Sequence, residues 1–222
     1  MHTRRDRRKL RRKTRRLPRH RRQKGGDPLA DYLKAHNFTL LEVPPDGNCF
    51  FYSIDAFFKL TDHPLMGQDH SDLRAAVVGY MLANKEKFLP FVAKEYAFKN
   101  EARRKKFLES YVEKQIRSLA ADKAWASELG DIIPQEAPNT FQVKIIIHNW
   151  DNEHATTFTF IPDGIANNSA LPTINLLRVN DNHFNLLMDE TTFNADKDMQ
   201  ARWKVIDAIY KGTATSLNNS AN

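Results

Sequence analysis

An α+β fold, with a small central β-sheet packed between helices, is what this sequence predicts. Three observations carry that prediction. Apolar residues recur at helical spacing through much of residues 28 to 122. Between residues 141 and 188 the period shortens to that of strands. A last helical pattern, residues 198 to 210, closes the order. A chain of 222 residues with 41% hydrophobic content supports one domain with a core of ordinary size, and no internal repeat is visible.

Each element has its own signal. Asp27 can cap a helix with Pro28 at its first position; Leu29, Tyr32, Leu33 and His36 share one face of it, and Asn37 suits its end. Phe38 to Val43 reads as a short strand or extended segment, stopped by Pro44-Pro45. The turn Asp46-Gly47-Asn48-Cys49 leads into the apolar-rich stretch Phe50 to Leu60. Ser71 is the expected cap of the next helix, with Leu73, Ala76, Val77, Tyr80 and Met81 at helical spacing. A long helix from about Glu101 to Asp122 turns Leu108, Tyr111, Val112, Gln115, Ile116 and Leu119 inward and its Arg103–Lys106 run to water. Trp125 to Leu129 is read as the start of a further short helix. Strands are expected over residues 141–148, 156–161, 173–179 and 183–188, with a turn at Asp163-Gly164. The final helix places Met199, Trp203, Ile206 and Tyr210 on one face and ends at Gly212.

The formal net charge of +7 conceals two unlike parts. Residues 1–24 hold 14 of the 34 Lys and Arg and one of the 27 acids, Asp6, for a net of +13. The remainder sets 20 basic against 26 acidic residues, for a net of −6. Besides Met1, the basic segment has only Leu10 and Leu17 as large apolar residues, too few to fold alone. It reads as a disordered leader hinged at Gly25-Gly26, with a charge that suits importin, nucleic acid or an anionic membrane. No RNA-binding module follows it, and it lacks the apolar face and Ser of a mitochondrial presequence. No apolar run nears the ~20 residues of a membrane span, and no signal-peptide pattern stands behind the N-terminal charge. Cys49 is the single cysteine, so no intramolecular disulfide can form. A reducing intracellular compartment, cytoplasm or nucleus, and a monomeric chain are the expectation.

A cysteine attacks as the thiolate and needs a base and donors for the oxyanion. Gly47 permits a tight turn, and Cys49 falls where a helix begins, so free N–H groups and the positive end of the helix dipole favour a thiolate there. The backbone N–H groups of Gly47, Asn48 or Cys49 can receive the oxyanion. The turn alone is equally compatible with Cys49 as a core residue beneath a surface loop. Of the eight histidines, His2 and His20 lie in the tail and His36 on a helix face. His63 and His70 sit among Asp62, Asp69 and Asp72, but their spacing matches no zinc pattern, and no metal is expected. His148 and His154 flank a hairpin; His148 ends an apolar strand without an orienting group at strand spacing. His183 is the best base. It starts His183-Phe184-Asn185-Leu186, and residues two apart on a strand share a face, so Asn185 can accept the imidazole N–H and hold the ring. The alternative is a strand-end histidine bonded in a turn.

Asp46-Gly47-Asn48-Cys49-Phe50-Phe51 closely resembles the nucleophile motif of the ovarian tumour (OTU) family of deubiquitinases. That family's second mark is a late histidine followed by an aromatic residue and then Asn or Asp. His183-Phe184-Asn185 matches it, 134 residues after Cys49. Trp125-Ala126-Ser127-Glu128-Leu129 looks like the family's tryptophan block but lacks the usual glycine after Trp125. The resemblance covers about Leu29 to Met188; the stretch from Ser71 to Ala124 is either ordinary family helices or an inserted substrate arm. It implies a papain-type OTU-like catalytic domain over residues 27–211, between a basic tail and hinge (1–26) and a polar tail (212–222). It further implies that Cys49 attacks the carbonyl of ubiquitin's C-terminal glycine, that His183 is the general base, and that Asn185 orients His183. Asp46 would shape the loop and assist oxyanion stabilisation. Residues near Phe184 and in the loop before His183 would line the channel for the ubiquitin tail. No cofactor is implied, and the implied partner is ubiquitin or polyubiquitin chains. The resemblance also admits a ubiquitin-binding relative that does not cut. It admits, too, a protease for another ubiquitin-like modifier or a viral or bacterial polyprotein, including an effector acting in a host cell. From another class, a nucleic-acid-binding protein using the basic tail stands as the alternative.

Overall fold

Five strands form one mixed sheet in a computed structural model of the chain, which describes residues 27–92, 100–125, 129–151, 153–165, 170–180 and 182–212. They are β1 (Phe38–Leu41), β2 (Lys144–Trp150), β3 (Ala155–Phe160), β4 (Thr173–Val179) and β5 (His183–Asp189). Their order across the sheet is β1-β5-β4-β2-β3; β2 and β4 are parallel and the other neighbours antiparallel. The expected α+β class is the observed one. Pairing of Leu177 with Asn185 and of Val179 with His183, together with Ile146 opposite Asn175, fixes the faces. His148, Asn175, His183 and Asn185 therefore share one face of the sheet, and Phe184 and Leu186 point to the other.

Among the described residues, eight α-helices surround the sheet: α1 (Pro28–Ala35), α2 (Cys49–Leu60), α3 (His70–Ala83), α4 (Leu89–Val92), α5 (Glu101–Ser118), α6 (Ile133–Phe141), α7 (Glu190–Ala195) and α8 (Lys197–Tyr210). Asp27 caps α1 through Leu29 N–H, as its sequence suggested. On the face it shares with His148, Tyr32 of α1 packs against His148 and Trp150. On the other face lies α2, with ten of its twelve residues buried. A helix apolar on nearly every side belongs inside a fold, and α2 fits between β5, α3 and α8. Phe50, Phe51, Ile54, Phe58 and Leu60 supply its fully buried contacts.

Several boundaries differ from the sequence reading. The cap of α3 is Asp69 rather than Ser71: Asp69 accepts the N–H groups of Ser71 and Asp72, and the Asp72 carboxylate reaches back to Asp69 N–H. This reciprocal pairing satisfies two orphan donors, which Ser71 would not do from inside the first turn. Helix α6 has no counterpart in the sequence reading; it carries two prolines, Pro134 and Pro138. Pro134 lies in the first turn, where its missing N–H costs nothing. Strand β2 consequently begins at Lys144, after Gln142 turns the chain with φ 55°, and not at Phe141. Helix α7 was also missed; it follows β5 directly, capped by Asp189. Most of the expected helix after Trp125, and the two tails, lie outside the described residues. Among the described residues no helix is long and apolar enough to cross a membrane.

Candidate active site

The Asp46–Cys49 turn is built by its own first residue. Asp46 Oδ1 accepts Asn48 N–H at 2.8 Å, and the Asp46 carbonyl accepts Cys49 N–H at 3.1 Å. The chain then enters α2 with Cys49 as its first residue. Of the three backbone donors expected to receive an oxyanion, those of Asn48 and Cys49 are thus engaged inside the loop in this state. Among the described residues, Gly47 N–H has no such partner. The loop is also pressed against a second one: a Cβ added at Gly47 would stand 1.8 Å from the Lys123 carbonyl oxygen, so only glycine fits.

Cys49 and His183 line one cavity of about 520 Å³, together with Pro45, Asp46, Gly47 and Trp125. The Cys49 sulfur receives the Phe184 backbone N–H at 3.4 Å and lies 3.9 Å from the Asn182 carbonyl oxygen. The start of β5 is therefore seated directly on the thiol. Burial pushes the Cys49 pKa up, the Phe184 and Phe50 backbone groups pull it down, and the Asp46 charge adds to the rise. The balance lies above the ordinary thiol value, so the resting group is the protonated thiol and attack needs a base.

His183 has the hydrogen-bonding pattern such a base requires. Asn185 Oδ1 accepts the backbone N–H of Val43 at 3.1 Å, which fixes that atom as the amide oxygen. The same oxygen stands 3.0 Å from His183 Nε2. Nε2 must then carry a proton, and in the neutral ring Nδ1 holds the lone pair. Among the described residues, Nδ1 is buried without a hydrogen-bond partner. Buried polar atoms are nearly always paired, so an orphan lone pair beside a cysteine is a vacancy for the thiol proton.

The rival histidine is already engaged. Tyr32 OH lies 2.7 Å from His148 Nδ1 and Asn175 Oδ1 lies 3.3 Å from Nε2. Its orienting group comes from the neighbouring strand, where spacing along its own strand could not show it. His63 Nδ1 accepts the Leu65 N–H and its ring stacks on Phe58, while His70 packs on Tyr52. Among the described residues no three His, Cys, Asp or Glu side chains gather as a metal set.

Sequence reasoning missed the support behind the loop. The Asn48 side chain, 1% exposed, donates to Asp122 Oδ1 at 2.6 Å and accepts the Lys123 N–H at 3.1 Å. Arg74, 2% exposed, reaches the same loop from α3. A signal was present: Arg74, Val77, Val78 and Met81 stand at i, i+3, i+4 and i+7, which places a cation on the apolar stripe.

A thiol at a helix N-terminus, an imidazole with a free nitrogen in the same cavity, and an asparagine fixing the tautomer make up the side-chain set of a cysteine protease. The model of the OTU-like cysteine protease family matches residues 44–169, more than half of the chain, and the chain belongs to that family. The matched span takes in Cys49 and stops before His183 and Asn185, which the fold brings to it. The chain is 31% identical over 120 residues to mouse OTU domain-containing protein 3, a match covering 54% of this chain and 25% of that protein. Among solved structures, the OTU domain of OTUD1 is 23% identical, with a TM-score of 0.47 over 73% of this chain and 93% of that one. An OTU deubiquitinase from Wolbachia pipientis is 14% identical, with a TM-score of 0.44 over 74% and 95%. An OTU domain solved in complex with ubiquitin is 18% identical, with a TM-score of 0.42 over 80% and 90%.

Proposed function

We propose that the chain is a thiol-dependent deubiquitinase that hydrolyses the isopeptide bond after the C-terminal glycine of ubiquitin. Family membership supports a protease and implies the substrate class. The observation that carries the mechanism is the unpartnered Nδ1 of His183 in the cavity that also holds Cys49.

In this reading the Cys49 sulfur attacks the glycine carbonyl as its proton passes to His183 Nδ1. The resulting imidazolium donates Nε2–H to Asn185, whose oxygen is held in place by Val43 N–H. The Gly47 N–H is the donor available to the oxyanion, and the start of α2 adds its dipole. When the tetrahedral intermediate collapses, the proton on His183 goes to the departing lysine amine. Water, deprotonated by the same imidazole, then hydrolyses the thioester and returns Cys49 as the thiol. No cofactor takes part in this scheme.

The test is labelling by ubiquitin carrying a cysteine-reactive group at its C-terminus. The native chain is expected to form one covalent adduct. Cys49→Ala should form none, and His183→Ala should react far more slowly. A folded native chain that alkylates with a small thiol reagent but ignores the ubiquitin probe would remove ubiquitin as the substrate.

A further inference from the structure

The guanidinium of Arg74 is buried 27 residues downstream of Gly47 and bonds to two chain segments at once. Its Nη2 donates to the Gly47 carbonyl at 2.5 Å and to Asn48 Oδ1 at 2.8 Å. Its Nη1 donates to the Leu119 carbonyl at 3.1 Å and the Ala124 carbonyl at 2.6 Å. The plane lies over the Phe51 ring, with Cζ 4.5 Å from its centroid. One planar fork thus ties the loop carrying the nucleophile to the segment between α5 and Trp125. All four acceptors are uncharged oxygens. Folding a cation into such a site is costly compared with an apolar side chain of the same shape, and holding the fold together does not by itself explain the choice.

We propose that Arg74 is a positioning residue for catalysis: its fork sets the Gly47–Cys49 backbone, and with it the free Gly47 N–H and the thiol, in the geometry the reaction needs. Three observations support this. Gly47, held through its carbonyl, also lines the cavity, and among the described residues its backbone donor has no protein acceptor. Asn48, held through its side chain, immediately precedes Cys49, and its other side-chain bonds go to Asp122 and Lys123 on the same far segment. The two segments touch so closely that Gly47 admits no side chain, so a shift in one moves the other. The cation also stands near the reacting group: burial lowers the Arg74 pKa, while the charges of Asp122, Asp46 and an ionised Cys49 raise it. A lysine could keep the charge but could not span four acceptors with a planar fork.

The role rests on the protease reading, and its test separates the two. Because Cys49 is the single cysteine, alkylation by iodoacetamide reports on it alone and requires no ubiquitin. The titratable and charged groups around this loop are Asp46, Tyr52 on α2, Arg74 on α3, Asp122 and Lys123 on the far segment, and His183 on β5. Arg74→Lys and Arg74→Met are compared with the native chain for cooperative melting, for the pH inflection of alkylation, and for turnover of a ubiquitin C-terminal substrate. In folded variants kcat should fall about a hundredfold, as for displaced catalytic groups, with KM within about twofold, and the alkylation inflection of Arg74→Met should move to higher pH. A folded Arg74→Lys that keeps both the native inflection and the native kcat overturns the proposal. So does failure of both variants to fold, which would make Arg74 a residue of the fold alone. If the native chain does not turn over ubiquitin at all, the substrate reading falls, and Arg74 is judged by the alkylation profile: shifted in a folded variant, the role stands; unshifted, it falls.

Discussion

His148 and His183 lie on the same face of the same sheet, and each presents Nε2 to an asparagine oxygen, at 3.3 Å and 3.0 Å. Judged by the base-and-orienter pattern alone they are equivalent. They differ at the other ring nitrogen. Tyr32 OH occupies Nδ1 of His148, within a cluster of aromatic rings from α1 and β2. Nδ1 of His183 is left without a partner among the described residues, in a cavity it shares with a thiol. One histidine has spent both of its hydrogen-bonding positions on structure; the other keeps a lone pair in reserve. An orienting asparagine therefore does not separate the two, whereas an unsatisfied nitrogen in the cavity of the thiol does.

The widest gap between them should appear in turnover. His183→Ala is expected to lower kcat about 10²- to 10⁴-fold, the usual worth of a positioned base. His148→Ala should leave kcat within about twofold once corrected for folded protein, although it opens a hole under α1. Equal losses in steady-state assays of the two variants would erase the distinction.

A smaller gap should separate the orienters. Asn185→Ala removes the acceptor of both His183 Nε2 and the buried Val43 N–H, so activity should fall and stability should drop by about 1–3 kcal/mol. Asn175→Ala should reduce stability without touching kcat. Urea titrations read alongside kcat separate these effects.

Tyr32→Phe sharpens the point further, because it frees His148 Nδ1 without changing shape. Stability should fall by about 1 kcal/mol, and Cys49→Ala/Tyr32→Phe should remain without hydrolytic activity. Hydrolysis by that double variant would mean that a free imidazole nitrogen is sufficient without the thiol.

The smallest effect concerns pH. Burial holds the His148 pKa below the ordinary imidazole value, with the Asn175 hydrogen bond opposing. The folded chain then takes up that proton less readily than the unfolded chain, so stability is lost as pH falls below about 6.5. His63 contributes in the same direction. His148→Gln should shrink, without abolishing, the drop in Tm between about pH 7.5 and about pH 5.5. An undiminished drop would assign the pH dependence to other groups.

Much of this molecule was legible in the residues. Asp27-Pro28 announced α1, the alternation at 173–179 and 183–188 matched β4 and β5 closely, and the short spacing from His183 to Asn185 put two side chains on one face. These are local facts, because capping, strand period and turn chemistry are settled within a few residues of chain. Helix α6 escaped notice for the same reason: two prolines weaken its local helical signal, whereas Pro134 falls in the first turn and the segment packs against α3.

The sequence by itself determined the fold class, the position of Cys49 at the head of an apolar helix, and a histidine with an asparagine on its face. Only the tertiary structure decided which histidine keeps a free nitrogen, which of three backbone donors is unengaged, and what holds the nucleophile loop from behind. The physical reason is distance along the chain. Tyr32 meets His148 across 116 residues, Phe184 N–H meets the Cys49 sulfur across 135, and Asn48 meets Asp122 across 74. Partnerships of that span arise from packing, and no periodicity in the sequence records them.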